Sequence, residues 1–225
     1  DLGGDGTLET HTGSIEARTL ATPSYAFLLA AQVYNASALA DQLVLKREGG
    51  KVTIAKDDGE ILQQYDEPFD SLTINLGANA LNTDEHVNVE SLGEFNADLT
   101  INGDFGGDKV VFKGNTYFMG HKLTVNAETI EVQDNVTLST RKIASGGDHE
   151  SALSLGDSGD IVFDSTSRTD EEWDGGSIDI AGGAKLLAQV HDGSGHYPGD
   201  ITLWVENYTG FSGLLVAKVK ITNAF

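Results

Sequence analysis

At 225 residues, with 14 Lys and Arg against 35 Asp and Glu, the chain carries a net charge of −21, which argues against nucleic acid or an anionic membrane surface as partner. The absence of cysteine excludes a disulfide framework and thiolate metal sites. Hydrophobic content of 39%, 27 Gly and only 3 Pro describe many turns between short strands, and the length fits a single elongated β domain.

Asp1 opens without a basic-then-apolar leader, so no signal peptide is expected and the chain reads as a mature or excised segment. Gly3-Gly4-Asp5-Gly6 is a turn, and the alternation of Ile15 and Ala17 with polar neighbours predicts a strand that Pro23 ends. Tyr25 to Ala40 is rich in Ala and Leu, which predicts a short helix covering the open end of a stack of repeats; a buried strand through Phe27-Leu-Leu-Ala is the competing reading. The longest apolar run, Tyr25 to Tyr34, is about half the ~20 residues of a spanning helix, so no membrane span is expected.

Leu43-Val-Leu-Lys-Arg, Lys51-Val-Thr-Ile-Ala and Glu60-Ile-Leu-Gln-Gln-Tyr are three β-type runs separated by Gly49-Gly50 and Asp57-Asp58-Gly59. Turns this tight join only antiparallel strands, so a small meander is predicted, closed by Pro68. From Asp70 onward apolar residues come in pairs two apart, among them Leu72/Ile74, Leu99/Ile101, Leu123/Val125 and Ile130/Val132. Two-apart spacing places both members on one face of a strand.

Longer repeats overlie these pairs. Lys122-Leu-Thr-Val, Asp160-Ile-Val-Phe and Asp200-Ile-Thr-Leu align at Leu123, Ile161 and Ile201, and the last two follow a Gly. Thr129-Ile-Glu-Val-Gln-Asp-Asn-Val-Thr-Leu matches Ser177-Ile-Asp-Ile-Ala-Gly-Gly-Ala-Lys-Leu, 177 − 129 = 48 residues later. Repeats of this length mark solenoids, in which each unit buries its apolar face against its neighbours. The expected fold is all-β: a right-handed parallel β-helix over 70–225, preceded over 1–69 by the N-terminal strand, the capping helix and the antiparallel meander. Three polar segments, Ser145 to Asp157, Ser165 to Gly176 and His191 to Gly199, are expected as excursion loops, the places with room for function. The final alternation through Leu215, Ala217, Val219 and Ile221 is a terminal strand. It and the N-terminal strand are exposed edges able to pair with another copy.

Chemical motifs are sparse. Gly3-Gly-Asp-Gly, Gly106-Gly-Asp and Gly146-Gly-Asp are similar to a calcium-binding nonapeptide, yet none completes it, and calcium at loop carboxylates is a minor expectation. His191 and His196 with Asp192 and Asp200 offer metal-ligating side chains on a Gly-rich loop without a helix face to fix geometry; solvated histidines are the plainer reading. The polygalacturonase family pattern is met only in fragments: Asn82-Thr-Asp84 and Gly120-His121 are present, Lys122 replaces a Gly, and Arg141-Lys-Ile scrambles the last motif. The paired carboxylates of glycoside chemistry are missing at that place. Trp173 and Asp174, in Asp170-Glu-Glu-Trp-Asp-Gly, form the more exposed aromatic candidate for stacking on sugars, and Trp204 is a second. Binding candidates are therefore Trp173, Asp174, His191, Asp192 and His196, with no catalytic residue assigned and the metal unknown.

Leu123-Thr-Val-Asn-Ala-Glu-Thr-Ile-Glu-Val-Gln-Asp-Asn-Val-Thr-Leu-Ser-Thr, Gly156-Asp-Ser-Gly-Asp-Ile and Gly182-Gly-Ala-Lys-Leu-Leu-Ala resemble the β-helical repeats of filamentous-haemagglutinin-type exoproteins and other giant bacterial adhesins. Residues 43–77 are similar to segments of large exported repeat proteins that carry an LEPR motif, which is absent here. The resemblance implies a right-handed β-helix, export to the cell surface, and a structural or adhesive role, and it supplies no catalytic residues. The expected function is thus a non-catalytic segment of an exported bacterial surface protein that meets a host or bacterial surface glycan or protein. The alternatives are a carbohydrate-binding or carbohydrate-active β-helix, such as a polysaccharide lyase or hydrolase, and a self-assembling extracellular filament or matrix subunit joined through its terminal strands.

Overall fold

The computed structural model describes residues 30–36, 42–67, 69–76, 84–103, 106–165, 176–191, 193–205, 214–216 and 218–223. These residues form β-strands and no helix. In chain order, β1 (Ala31–Asn35) is followed by β2 (Gln42–Glu48), β3 (Lys51–Lys56) and β4 (Ile61–Asp66). A regular succession then begins with β5 (Ser71–Asn75), β6 (His86–Val89) and β7 (Gly93–Glu94). It continues through β8 (Asp98–Asn102), β9 (Lys109–Phe112) and β10 (Thr116–Tyr117), then β11 (Leu123–Asn126), β12 (Thr129–Val132) and β13 (Thr137–Ser139). Next come β14 (Ile161–Ser165), β15 (Ser177–Ile180) and β16 (Lys185–Leu187), and last β17 (Asp200–Val205), β18 (Leu214–Val216) and β19 (Lys218–Asn223).

The strands assemble into three sheets. Sheet I has the order β1-β5-β8-β11-β14-β17-β19, sheet II β15-β12-β9-β6-β2-β3-β4, and sheet III β18-β16-β13-β10-β7. From β5 to β17 the chain visits sheets I, II and III in turn and returns to sheet I one strand further along. Neighbours within a sheet are consequently parallel; the antiparallel pairs are β2 with β3 and β3 with β4. The meander read from the two Gly-containing turns is therefore present, and it extends sheet II past β2.

The repeat offsets are the hydrogen-bonded register itself. Leu123 lies opposite Ile161, Ile161 opposite Ile201, Thr129 opposite Ser177 and Thr137 opposite Lys185. The shortest circuit back to sheet I is seen between Leu99 and Leu123, 123 − 99 = 24 residues. The next circuit takes 161 − 123 = 38 residues, a surplus of 14 over the shortest one, and it contains the excursion at 145–157.

Inside the circuits the two-apart pairs meet. Leu72, Leu99, Leu123, Ile161 and Ile201 form one column of sheet I, and Val87, Val110, Ile130 and Ile178 form another in sheet II; all are buried. Burying one such side chain is worth roughly 1.5–3 kcal/mol. Between sheets III and I the aromatic rings of Tyr65, Phe69, Phe95 and Phe118 stand edge to face in succession, with centroids 6.2, 5.7 and 5.8 Å apart. On sheet I a second ladder is polar. The Asn75 amide donates to Asn35 at 2.8 Å, Asn102 to Asn75 at 3.0 Å and Asn126 to Asn102 at 2.8 Å.

The capping helix is corrected over its described part. Ala31–Asn35 is strand β1, paired in parallel with Ser71–Asn75. Alanine propensity is worth only tenths of a kcal/mol per residue and gives way to a sheet edge that offers partners for every second amide. The Tyr65 hydroxyl also donates to the Val33 carbonyl at 3.3 Å, and Asn35 ends the amide ladder. The predicted strand at 14–20, the remainder of 25–40 and the competing strand at 27–29 lie outside the described residues.

Candidate functional site

Two of the three expected excursions are described, and both leave sheet III and return to sheet I. The first joins β13 to β14 and the second joins β16 to β17. The first is organised by Arg141, only 1% exposed. Its guanidinium donates through Nη1 to the His149 carbonyl and through Nη2 to the Ala152 carbonyl, the latter at 2.7 Å. Burial lowers the pKa of this guanidinium, partly opposed by Asp148. A buried cation tolerates such a site only because the loop turns its carbonyls inward around it.

Held in this way, the loop lies as a strap across the outer face of sheet III. Glu94, Tyr117 and Ser139 share one register column there. The His149 ring stacks on Tyr117 with centroids 4.0 Å apart, and its Nδ1 lies 3.1 Å from the Ser139 hydroxyl. Burial, then the nearby Arg141 charge, depresses the His149 pKa, against the pull of Glu94 and Asp148. Glu94 accepts the Ser145 hydroxyl at 2.6 Å and the Gly146 amide at 2.5 Å, and these bonds hold its pKa below the usual carboxylate value. Lys185 on β16 pairs with Glu150, so the strap is tied at several points along sheet III.

The second excursion packs on the first. The His191 amide donates to the Ser154 hydroxyl at 2.9 Å, Tyr197 donates to the Asp157 carboxylate at 2.9 Å, and the Ser158 amide donates to the Tyr197 carbonyl at 3.0 Å. The Ser158 hydroxyl closes the seam on the Gln189 carbonyl at 2.9 Å. The outward surface of this loop pair is apolar. Leu153, Leu155 and Tyr197 are 66%, 59% and 75% exposed, and Ser154 between the two leucines turns inward. An alternating apolar pair inside a polar excursion is the sequence signal that marks it; neither the leucines nor Tyr197 were picked out by motif.

His191 and His196 of the sequence candidates are on the second loop, His191 exposed and His196 with Nδ1 3.6 Å from Asp157. Trp173, Asp174 and Asp192 lie outside the described residues. Among the described residues no group of three or more His, Cys, Asp or Glu is placed to hold a metal ion. The fragments resembling the polygalacturonase pattern all have structural partners: Asp84 accepts the Gly107 amide at 2.8 Å, His121 pairs with Asp98 at 3.3 Å, and Arg141 is the strap anchor. Comparison with protein-family models, with curated proteins and with solved structures finds no match.

Proposed function

We propose that the chain is a right-handed parallel β-helix segment of an exported bacterial surface protein, with a non-catalytic structural and adhesive role. The observation that carries this reading is the contrast between the in-register core columns and the loop pair at one corner, where Leu153, Leu155 and Tyr197 face solvent. Exposed apolar groups clustered on a rim of polar, hydrogen-bonded loops are what an interaction site requires. The strap holds them in place before any partner arrives, which lowers the ordering cost of binding. The acidic balance of −21 and the resemblance of residues 121–205 to adhesin repeats support placement at the cell surface.

The adhesive role is tested by coating beads with purified protein and counting attachment to host and bacterial cells. Leu155→Asp combined with Tyr197→Ala is expected to abolish attachment while leaving the circular-dichroism spectrum intact. Attachment unchanged by the double variant would remove the loop pair as the adhesive element. An experimental structure would test the handedness of the coil.

A further inference from the structure

The outer faces of the three sheets differ in what they offer. Sheet III is covered by the strap over Glu94, Tyr117 and Ser139. Sheet II carries charge, including the Lys109–Glu131 pair at 2.5 Å and the exposed Asp179. Sheet I instead presents two aligned columns that are uncharged through β5, β8 and β11. One column is Thr73, Thr100 and Thr124; the other is Asn75, Asn102 and Asn126. Further along, the threonine column reaches Thr202 through Val162, and the asparagine column reaches Trp204 through Asp164. Trp204 is 44% exposed.

We propose that this outer face of sheet I binds an extended, neutral polysaccharide lying along the stack, across the strands. Rows of a parallel sheet repeat about every 4.8 Å, so each row presents the same hydroxyl and amide to successive parts of a regular polymer. Asn102 donates one N–H to Asn75 and accepts one from Asn126, which fixes its plane and leaves a second N–H and a second lone pair. The ladder therefore preorganises a line of paired donors and acceptors suited to sugar hydroxyls. Trp204 supplies the aromatic face on which a pyranose ring stacks.

Charge selects the class of ligand. On a chain of net charge −21, an anionic glycan is repelled, and Lys122, in the flanking column, is paired with Asp160 at 3.2 Å. A protein partner needs an apolar interface centre, which Thr and Asn columns with one Trp do not provide. The proposal deepens the adhesive reading by naming a ligand class, but it concerns a different face from the loop pair.

The test is retention of the purified protein on insoluble neutral polysaccharides, cellulose and chitin among them, with polygalacturonate as the anionic control. Trp204→Ala and Thr100→Glu are each expected to weaken retention by about tenfold, the loss of one stacking contact or the introduction of one charge. Both change outward side chains, and thermal melting confirms that each variant is folded. Tyr197→Ala is expected to leave retention unchanged, so failure of the loop-pair reading and failure of this one are separable. Retention on none of the neutral polymers, retention that neither variant weakens, or preference for polygalacturonate would overturn the proposal. Thermal hysteresis removed by Thr100→Glu, without polysaccharide retention, would assign the face to ice instead.

Discussion

The imidazole of His149 lies on the phenol ring of Tyr117, with centroids 4.0 Å apart and planes 8° from parallel. This contact joins the strap to sheet III and makes the attachment sensitive to pH. The folded-state pKa of His149 lies below its ordinary value of 6.5, first through burial and then through Arg141. The unfolded chain therefore binds the proton more readily, and stability is full above pH 6.5 and falls as the pH drops below it. Thermal melts are expected to show declining midpoints toward about pH 5, where an ordinary histidine is charged. His149→Phe keeps a ring on Tyr117 and removes the titration, so its melting curve flattens in this window. An identical slope in wild type and variant would assign the effect elsewhere. Glu94, with its pKa lowered from 4.5, acts separately: its contribution is present above that value and is lost in more acid solution.

Arg141→Met replaces the strap anchor with an apolar side chain of similar length. The carbonyls of His149 and Ala152 lose their charged donors. The expected cost is about 2–4 kcal/mol, for two charge-assisted bonds partly offset by water. Limited proteolysis is expected to cut first between Ser145 and Asp157, and the amides of Gly147 and Ala152 are expected to exchange faster. Arg141→Lys keeps the charge but loses the planar fork that reaches both carbonyls, and falls between the two. Unaltered protection of the loop in Arg141→Met would show that Glu94 and Glu150 suffice.

Gly199 stands where one circuit passes closest to the next. A Cβ at this position would lie 1.8 Å from the Gly159 carbonyl oxygen, and one on Gly159 would lie 2.1 Å from the His121 carbonyl oxygen. Gly199→Ala is expected to cost about 3 kcal/mol, because two backbones must separate. Gly193, on the same loop with φ +77°, has open space around it. Gly193→Ala is expected to cost only the left-handed backbone strain, about 1 kcal/mol. Urea unfolding of the two variants checks the order, and a Gly193→Ala penalty equal to that of Gly199→Ala would contradict it.

The asparagine ladder is tested by a double-mutant cycle. Asn102→Ala and Asn75→Ala each remove a side chain from a half-exposed face where water replaces part of what is lost, so each is expected to cost about 1 kcal/mol. Because the Asn102 amide donates to Asn75 at 3.0 Å, the double variant is expected to cost less than the sum by about 0.5 kcal/mol or more. Additive costs would mean that the bond contributes nothing to stability.

The core columns were legible in sequence because their signal is local. Leu123 and Val125, two apart, declare a buried face without reference to any other strand. The 48-residue offset between Thr129 and Ser177 proved to be a hydrogen-bonded register, since parallel strands stacked one circuit apart must repeat their inward residues. The 38-residue step was legible only as a number. Its division into a 24-residue circuit and an excursion needed the pairing of Leu99 with Leu123. The Gly before Asp160 and Asp200 was visible as part of the repeat, and its cause, the carbonyl of the preceding circuit, was not.

Sequence alone determined the strand periodicity, the antiparallel meander, the repeat register and the position of the two described excursions, because each depends on residues within a few positions or on self-similarity. Tertiary structure decided that Ala31–Asn35 is a strand, that Arg141 is buried, and that His149 crosses sheet III to Tyr117. It also decided that the Thr and Asn columns lie on an uncharged face while the loops cover another. Those outcomes rest on contacts between segments far apart in sequence. There, burial and hydrogen-bond partners outweigh local propensity, and a polar residue gains its role only from what the neighbouring circuit places against it.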